Sequence, residues 1–202
     1  MTSSDAVSKI RSQFQSAVTG ESSFRGETSL TVSASALHEI CAFCAKVLGF
    51  DYLIDISSVD HFGDEPRFEV VYELYSLSDG VHLRLKAPVS EDDCRIDSVA
   101  DIWPTANWHE REAWDMMGIR FTNHPDLRRI LMWEGYPFHP LRKDFPLEGK
   151  PSDVPGLAFS DAAPLAGGPF VTVPTDGTTQ VREPRARHAG ELPRPEKFIE
   201  EP

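Results

Sequence analysis

The sequence predicts an α+β fold, in which helices cover one face of a small, largely antiparallel sheet. Two observations support this prediction. Residues 67–87 contain two apolar–polar alternations separated by a Ser-Asp-Gly turn, which is the pattern of an antiparallel hairpin with one solvated face. Residues 36–48 repeat apolar side chains at helical spacing, which predicts a helix with one apolar face. Such elements become stable when the helix covers the apolar face of the sheet.

The segments before the hairpin alternate between helical and extended patterns. Apolar periodicity predicts a helix, a strand, a helix and a strand, at residues 3–18, 28–33, 36–48 and 50–59. Gly20 is expected to end the first helix, and Ser35 is expected to cap the second helix at its N-terminus. Gly49 stands where a left-handed C-terminal cap belongs.

The hairpin has a clear division between its two faces. The predicted core side chains are Phe68, Val70, Tyr72, Leu74, Val81, Leu83, Leu85 and Ala87. The other face carries acidic residues on one strand (Glu69 and Glu73) and basic residues on the next (His82, Arg84 and Lys86). Opposite charges on neighbouring strands attract, so we expect ion pairs across this face. Pro88 is expected to close the sheet.

A final helix is predicted after an acidic loop at residues 91–93 and a short helical turn near Ser98. Asn107 and Glu110 have the spacing of a capping box for a helix that runs to Met117 and stops at Gly118. Arg111 and Asp115 are four residues apart in this helix, and we expect them to pair on an exposed face.

Composition suggests one domain over residues 1–150 and an extended C-terminal arm over residues 151–202. The arm holds nine of the 16 prolines and has no apolar periodicity, so it is expected to need a partner for order.

The net charge is −12, and residues 1–102 alone carry 8 Lys and Arg against 17 Asp and Glu. Such an acidic body excludes nucleic acid and anionic lipid as direct partners.

The sequence shows neither an apolar run long enough to span a bilayer nor an apolar signal core, so a cytoplasmic location is expected.

Cys41 and Cys44 lie at helical spacing among apolar residues, so we expect them in the core as free thiols. Nucleotide-binding glycine motifs and nucleophile motifs are absent from the sequence.

Residues 109–149 combine charge, aromatic side chains and proline more densely than a core strand or a solvated loop would. They contain HERE at residues 109–112, HPDLRRIL at 124–131 and HPLRKDFPL at 139–147. Segments of this composition line a site or bind another protein surface. Because the segment is nearly neutral within an acidic chain, a protein interface is the favoured interpretation.

These residues resemble the signature of the thirty-kilodalton subunit family of the proton-translocating NADH:quinone oxidoreductase (respiratory complex I), whose bacterial members are its C subunits. Two positions depart from the family pattern: Asn123 and Phe138 stand where glycine is usual. The resemblance implies a peripheral-arm subunit on the cytoplasmic side of a bacterial inner membrane. It implies no cofactor bound by this chain, while NADH, FMN, iron–sulfur clusters and quinone are used by the assembled complex. Implied partners are the other peripheral-arm subunits, especially subunits D and B.

The signature residues predicted to serve the interface are Glu110, Arg111, Asp115, His124, Arg128, Arg129, His139, Arg142, Lys143 and Asp144. No catalytic, cofactor-binding or metal residue is predicted. One alternative is the homologous subunit of a membrane-bound hydrogenase or of a photosynthetic NAD(P)H dehydrogenase. A second alternative is a metal-dependent hydrolase that uses His109, Glu112, His124 and His139.

Overall fold

The computed structural model describes residues 1–146, and a compact unit spans Met1–Asp144. Three helices, a short 3-10 helix and seven strands make up this unit. In chain order they are α1 (Ser3–Gln13), β1 (Val18–Phe24), β2 (Glu27–Val32), the 3-10 helix (Ala34–Ala36), α2 (Leu37–Lys46), β3 (Tyr52–Asp60), β4 (Phe68–Ser76), β5 (Val81–Val89), β6 (Arg95–Asp97), α3 (Ala106–Met117) and β7 (Arg120–Thr122). The predicted boundary at residue 150 and the predicted arm lie outside the described residues.

Five strands form the main sheet in the order β1-β2-β5-β4-β3. Neighbours are antiparallel except β2 and β5, which run parallel. β6 and β7 form a separate two-stranded parallel sheet. Helix α1 packs against β2, β5 and α2, and α3 packs against the edge strand β3. The predicted α+β class is therefore confirmed.

The β4–β5 hairpin has the predicted division of faces. Tyr72 pairs with Leu85 in the register, and both side chains are fully buried. On the other face, Lys86 Nζ lies 3.0 Å from Glu69, Glu73 bonds to Arg84, and His82 Nε2 lies 2.7 Å from the second Glu73 oxygen. The cross-strand ion pairs are confirmed. Two further predictions hold, because Cys41 and Cys44 are buried free thiols and Gly49 has a φ of +76°.

The N-terminal segment differs from the prediction. Helix α1 ends at Gln13, and Gly20, expected to end it, lies inside β1 opposite Thr31. β1 is an edge strand with no fully buried residue, so its sequence lacks the apolar alternation that reveals a strand. The capping box of this region belongs to Thr2 and Asp5 at the start of α1.

Three other predicted details are wrong. Ser35 lies inside the 3-10 helix and does not cap α2. Pro88 does not close the sheet but lies within β5, beyond the last residue that pairs with β2, where a missing amide donor is tolerated. The predicted capping box of Asn107 and Glu110 is wrong, because Asn107 lies inside α3, the N-cap position is Thr105 without a side-chain cap, and Glu110 bonds to Ser98. Its predicted end at Gly118 is confirmed, with a φ of +80°.

Candidate functional site

The last carbonyl groups of α3 are bonded by residues that follow the helix in sequence. His139 Nδ1 donates to the carbonyl oxygen of Asp115 at 3.0 Å, and Arg142 Nε donates to that of Met117 at 2.6 Å. The amide of Leu141 donates to the carbonyl of the residue between them at 3.1 Å. Helix ends leave carbonyls without intrahelical partners, and the helix dipole favours a cation there. The HPLR motif therefore forms the C-terminal cap of α3.

Gly118 makes this cap possible. A Cβ atom at this position would lie 2.6 Å from Arg142 Nη2 and 2.8 Å from His139 Nε2. Its left-handed φ of +80° also disfavours any side chain. Both constraints point to glycine, so the glycine of the signature is explained by close approach and by backbone geometry together.

The carboxylate of Asp115 fixes the HPDLRRIL motif to the same helix. Its Oδ2 accepts the amides of Ile130, Leu131 and Met132 at 3.0, 2.8 and 2.9 Å. Arg129 bonds to the other carboxylate oxygen. Burial alone would raise the pKa of Asp115, but these amides and the guanidinium together lower it below its ordinary value. The carboxylate is an internal anchor for three consecutive backbone groups.

Arg111 holds the preceding turn of this loop. Its Nε and Nη2 donate to the carbonyl oxygens of Arg128 and Arg129 at 3.1 and 3.2 Å. Its guanidinium lies 5.1 Å from the centre of the Trp108 ring, within the range of a cation–π contact. The predicted pairing of Arg111 with Asp115 on an exposed face is wrong, because both residues are buried and each bonds to the loop instead.

His124 bonds to the N-terminal half of α3. Its Nδ1 accepts the amide of Asp126 at 3.0 Å, so its other nitrogen carries the proton and donates to the carbonyl of Asn107 at 3.1 Å. Burial lowers its pKa, which favours this neutral form. The preceding residue, Asn123, has a φ of +62°. Asparagine tolerates this left-handed region better than most residues, which explains how it replaces the usual glycine.

Arg67 is a central residue that no sequence pattern indicated. It bonds to both carboxylate oxygens of Asp60 at 2.9 Å, to Glu91 at 2.6 Å and to Asp144 at 2.7 Å. The amide of Lys143 donates to the same Asp60 carboxylate at 2.8 Å. Arg67 thus joins the RKD motif to the ends of β3 and β4. Its partners are far apart in sequence, so no local signal could have found the cluster.

A smaller set of residues, in the signature or directly beside it, remains exposed. Arg128 has 71% of its side chain exposed and pairs with Asp126, which is also exposed. Trp108, Leu131 and Leu141 are exposed by 61%, 61% and 58%. Lys143 and Asp144 are also exposed, although Asp144 is paired with Arg67. The structure therefore divides the signature into buried anchors and exposed side chains.

The three histidines of the hydrolase alternative have separate polar partners. His109 pairs with Asp55 at 3.0 Å, and His124 and His139 donate to backbone carbonyls of α3. Within residues 1–146, no three His, Cys, Asp or Glu side chains group together in a way that could hold a metal ion. Across the same residues, none of the helices is long and apolar enough to span a bilayer.

A family model for the 30-kDa subunit of the respiratory-chain NADH dehydrogenase matches residues 30–151. The chain belongs to this family. It is 49% identical over 144 residues to the C subunit of the NADH-quinone oxidoreductase of Geotalea uraniireducens, covering 71% of this chain and 88% of the relative. The prediction that the chain is a peripheral-arm subunit of NADH:quinone oxidoreductase is thereby confirmed.

Solved structures agree with this family. A trypsin-resistant fragment of Nqo5 superposes with a TM-score of 0.53 at 31% identity, covering 60% of this chain and 99% of the fragment. A chain of an archaeal membrane-bound sulfane sulfur reductase superposes with a TM-score of 0.61 at 24% identity, covering 71% and 85% of the two chains. The second likeness concerns the fold alone. The relatives favour the respiratory enzyme over the hydrogenase and photosynthetic alternatives.

Proposed function

We propose that this subunit acts as a cofactor-free scaffold in the peripheral arm of NADH:quinone oxidoreductase. The observation that carries the proposal is the division of the signature into buried anchors and exposed side chains. Arg111, Asp115, Arg129, His139 and Arg142 all donate to or accept from the backbone of α3 or of the loop that packs on it. Their polar groups are used internally, which favours a structural role over a catalytic one.

The exposed side chains that this framework holds form the proposed docking surface. We define the docking residues as Trp108, Arg128, Leu131 and Leu141. Each one is on α3 or has a backbone group bonded to α3, so the helix fixes all four. Exposed tryptophan and arginine side chains are well suited to a protein interface, and the rigid framework that holds all four residues reduces the conformational entropy lost on binding.

The proposed partners are neighbouring subunits of the peripheral arm, especially subunits D and B. Attachment through them would place the chain on the cytoplasmic side of the bacterial inner membrane. In this proposal NADH, FMN, the iron–sulfur clusters and quinone are handled by the assembled complex, and this chain binds none of them. Lys143 and Asp144, beside the docking residues in sequence, would serve the same interface through their exposed charges.

The test replaces Trp108, Arg128 or Leu131 with alanine and measures assembly of the complex in native membranes. A truncated interface anchor costs about 2 kcal/mol or more, so the subunit should dissociate about 30 times more readily. Phe24→Ala is the matched control, because Phe24 is 73% exposed but lies on the edge strand β1. Assembly should be unaffected in this control.

Two outcomes would contradict the proposal. If the variants assemble normally but lose NADH:quinone activity, the signature has a direct catalytic role. If Phe24→Ala disrupts assembly as strongly as Trp108→Ala, the docking surface is not specific to α3. Unfolding of each purified variant must match that of the wild type, since otherwise a loss of assembly reports a loss of folding.

A further inference from the structure

Glu110 differs from every other acidic residue described in the signature. It lies on α3 and is fully buried, yet within residues 1–146 no lysine or arginine pairs with it. Its Oε2 accepts the hydroxyl of Ser98 at 2.6 Å, and its Oε1 accepts the amide of Val99 at 2.7 Å. These two bonds join α3 to the segment that follows β6. A buried carboxylate without a cation is costly unless it binds a proton.

The groups that surround Glu110 provide no positive charge in contact with it. His124 Nε2 lies 3.8 Å away, but that histidine is neutral, because its Nδ1 accepts the amide of Asp126. From the core side, Tyr72 on β4 and Cys41 on α2 are fully buried and neutral. Three other titratable groups act on this cluster. Asp101 raises the pKa of Glu110 and His38 lowers it. Asp97 raises the pKa of Tyr72.

Asp115, five residues further along α3, shows what Glu110 lacks. Both carboxyl groups are fully buried, but Asp115 receives three amides and a guanidinium, whereas Glu110 receives one amide and one hydroxyl. The pKa of Asp115 is accordingly lowered. Burial instead raises the pKa of Glu110 to about 7, because the bonds from Ser98 and Val99 only partly offset it.

We propose that Glu110 is an internal proton-binding residue, and that its protonation holds the Ser98–Val99 segment on α3 while its deprotonation loosens that attachment. The proton comes from solvent and returns to solvent, and no other bond is made or broken. When the carboxyl group is protonated, its O–H donates to Ser98 Oγ and its other oxygen still accepts the Val99 amide. This inference does not depend on the docking residues or on the scaffold role.

The sign of the effect follows from linkage. When the segment opens, Glu110 meets water and its pKa returns to the ordinary value of 4.5, whereas in the closed form it is about 7. The closed form, in which the segment is held on α3, therefore binds the proton more tightly. Its added stability is complete below the open-state pKa of 4.5 and is lost as the pH rises through the closed-state pKa of about 7. Between pH 6 and pH 8, these values predict about a tenfold increase in the open fraction.

The test measures hydrogen exchange at the Val99 amide of the full chain at pH 6 and pH 8, corrected for the intrinsic exchange rate. Protection in the wild type should fall about tenfold over this range. Glu110→Gln cannot titrate, so its protection should stay constant. Glu112→Gln is the matched control, because Glu112 lies on the same helix but is exposed, and it should behave as the wild type.

A second variant keeps the test decisive if Glu110→Gln does not fold. Ser98→Ala removes a donor that lowers the pKa of Glu110, so the fall in Val99 protection should move to higher pH. Equal protection at pH 6 and pH 8 in the wild type would overturn the proposal. So would an unchanged pH dependence in Glu110→Gln, or a midpoint in Ser98→Ala that does not rise.

Discussion

Gly118→Ala tests the tight cap on α3, and Gly49→Ala is its matched control. Both glycines follow helices and have similar positive φ values, +80° at Gly118 and +76° at Gly49. They differ in their surroundings. A Cβ at Gly118 would lie 2.6 Å from Arg142 Nη2 and 2.7 Å from His139 Cδ2, whereas a Cβ at Gly49 would meet no atom within 4 Å. The control therefore carries the backbone strain without the steric conflict.

The expected costs follow from these distances. Left-handed strain costs about 1 kcal/mol in either variant. At Gly118 the new methyl group also displaces Arg142 and His139 from the carbonyls of Met117 and Asp115. A charged hydrogen bond contributes about 2 kcal/mol and a neutral one about 1 kcal/mol. The free energy of unfolding should therefore fall by about 4 kcal/mol in Gly118→Ala and by about 1 kcal/mol in Gly49→Ala.

Urea unfolding of the purified chains, followed by tryptophan fluorescence, measures this difference. Adding Arg142→Ala to Gly118→Ala should cost less than the sum of the two single changes, since the second change removes the side chain that conflicts with the first. Equal losses in Gly118→Ala and Gly49→Ala would refute the reasoning, because the cap could then accommodate a methyl group. Strict additivity in the double variant would show that Arg142 is not the residue displaced.

Two further changes, each with a matched control, test buried charged residues. Asp115→Asn should lower the free energy of unfolding by about 3 kcal/mol, because a single amide oxygen cannot replace both carboxylate oxygens, whereas Asp126→Asn on the exposed surface should change it by less than about 1 kcal/mol. The lowered pKa of Asp115 supplies stability that is complete above its ordinary value of 3.8 and is lost as the pH falls through the folded value. Urea unfolding between pH 6 and pH 3 should therefore show a weaker acid dependence in Asp115→Asn than in the wild type. Arg67→Lys should destabilise the chain by about 3 kcal/mol, since an ammonium group cannot bond to Asp60 in the fork geometry. Arg84→Lys, on the half-buried outer face of the sheet, should cost less than about 1 kcal/mol in the same assay.

The parts of the fold that could be predicted from the sequence are those in which burial follows a regular period along the chain. The β4–β5 hairpin is an example, because every second residue from Phe68 to Leu74 is buried and the alternation is visible in the letters. β1 was missed because an exposed edge strand has no buried face to produce alternation. The parallel pairing of β6 with β7 was missed because it joins residues about 25 positions apart through strands of three residues each.

Within the signature, the sequence identified the charged residues that make specific contacts, but it did not predict the groups that they contact. Charged side chains were expected on an interface, yet Arg111 and Asp115 are buried and bond to backbone groups of the loop after β7. The physical reason is that residues 123–146 form neither a helix nor a strand, so their amides and carbonyls need side-chain partners. Arginine and aspartate meet this need, because one guanidinium or carboxylate bonds several backbone groups at once.

The division between buried and exposed side chains also determines which residues should control partner binding. A buried anchor affects assembly only by disturbing the loop, so its loss must also lower the free energy of unfolding. Arg128 and Leu131 contribute their backbone groups to the framework and leave their side chains exposed. Their truncation should therefore weaken assembly with little effect on folding. Comparing Arg128→Ala with Arg111→Ala separates the two roles, since the second variant should lose both properties together. If both variants instead fold as the wild type does and assemble poorly, the anchors are part of the interface themselves.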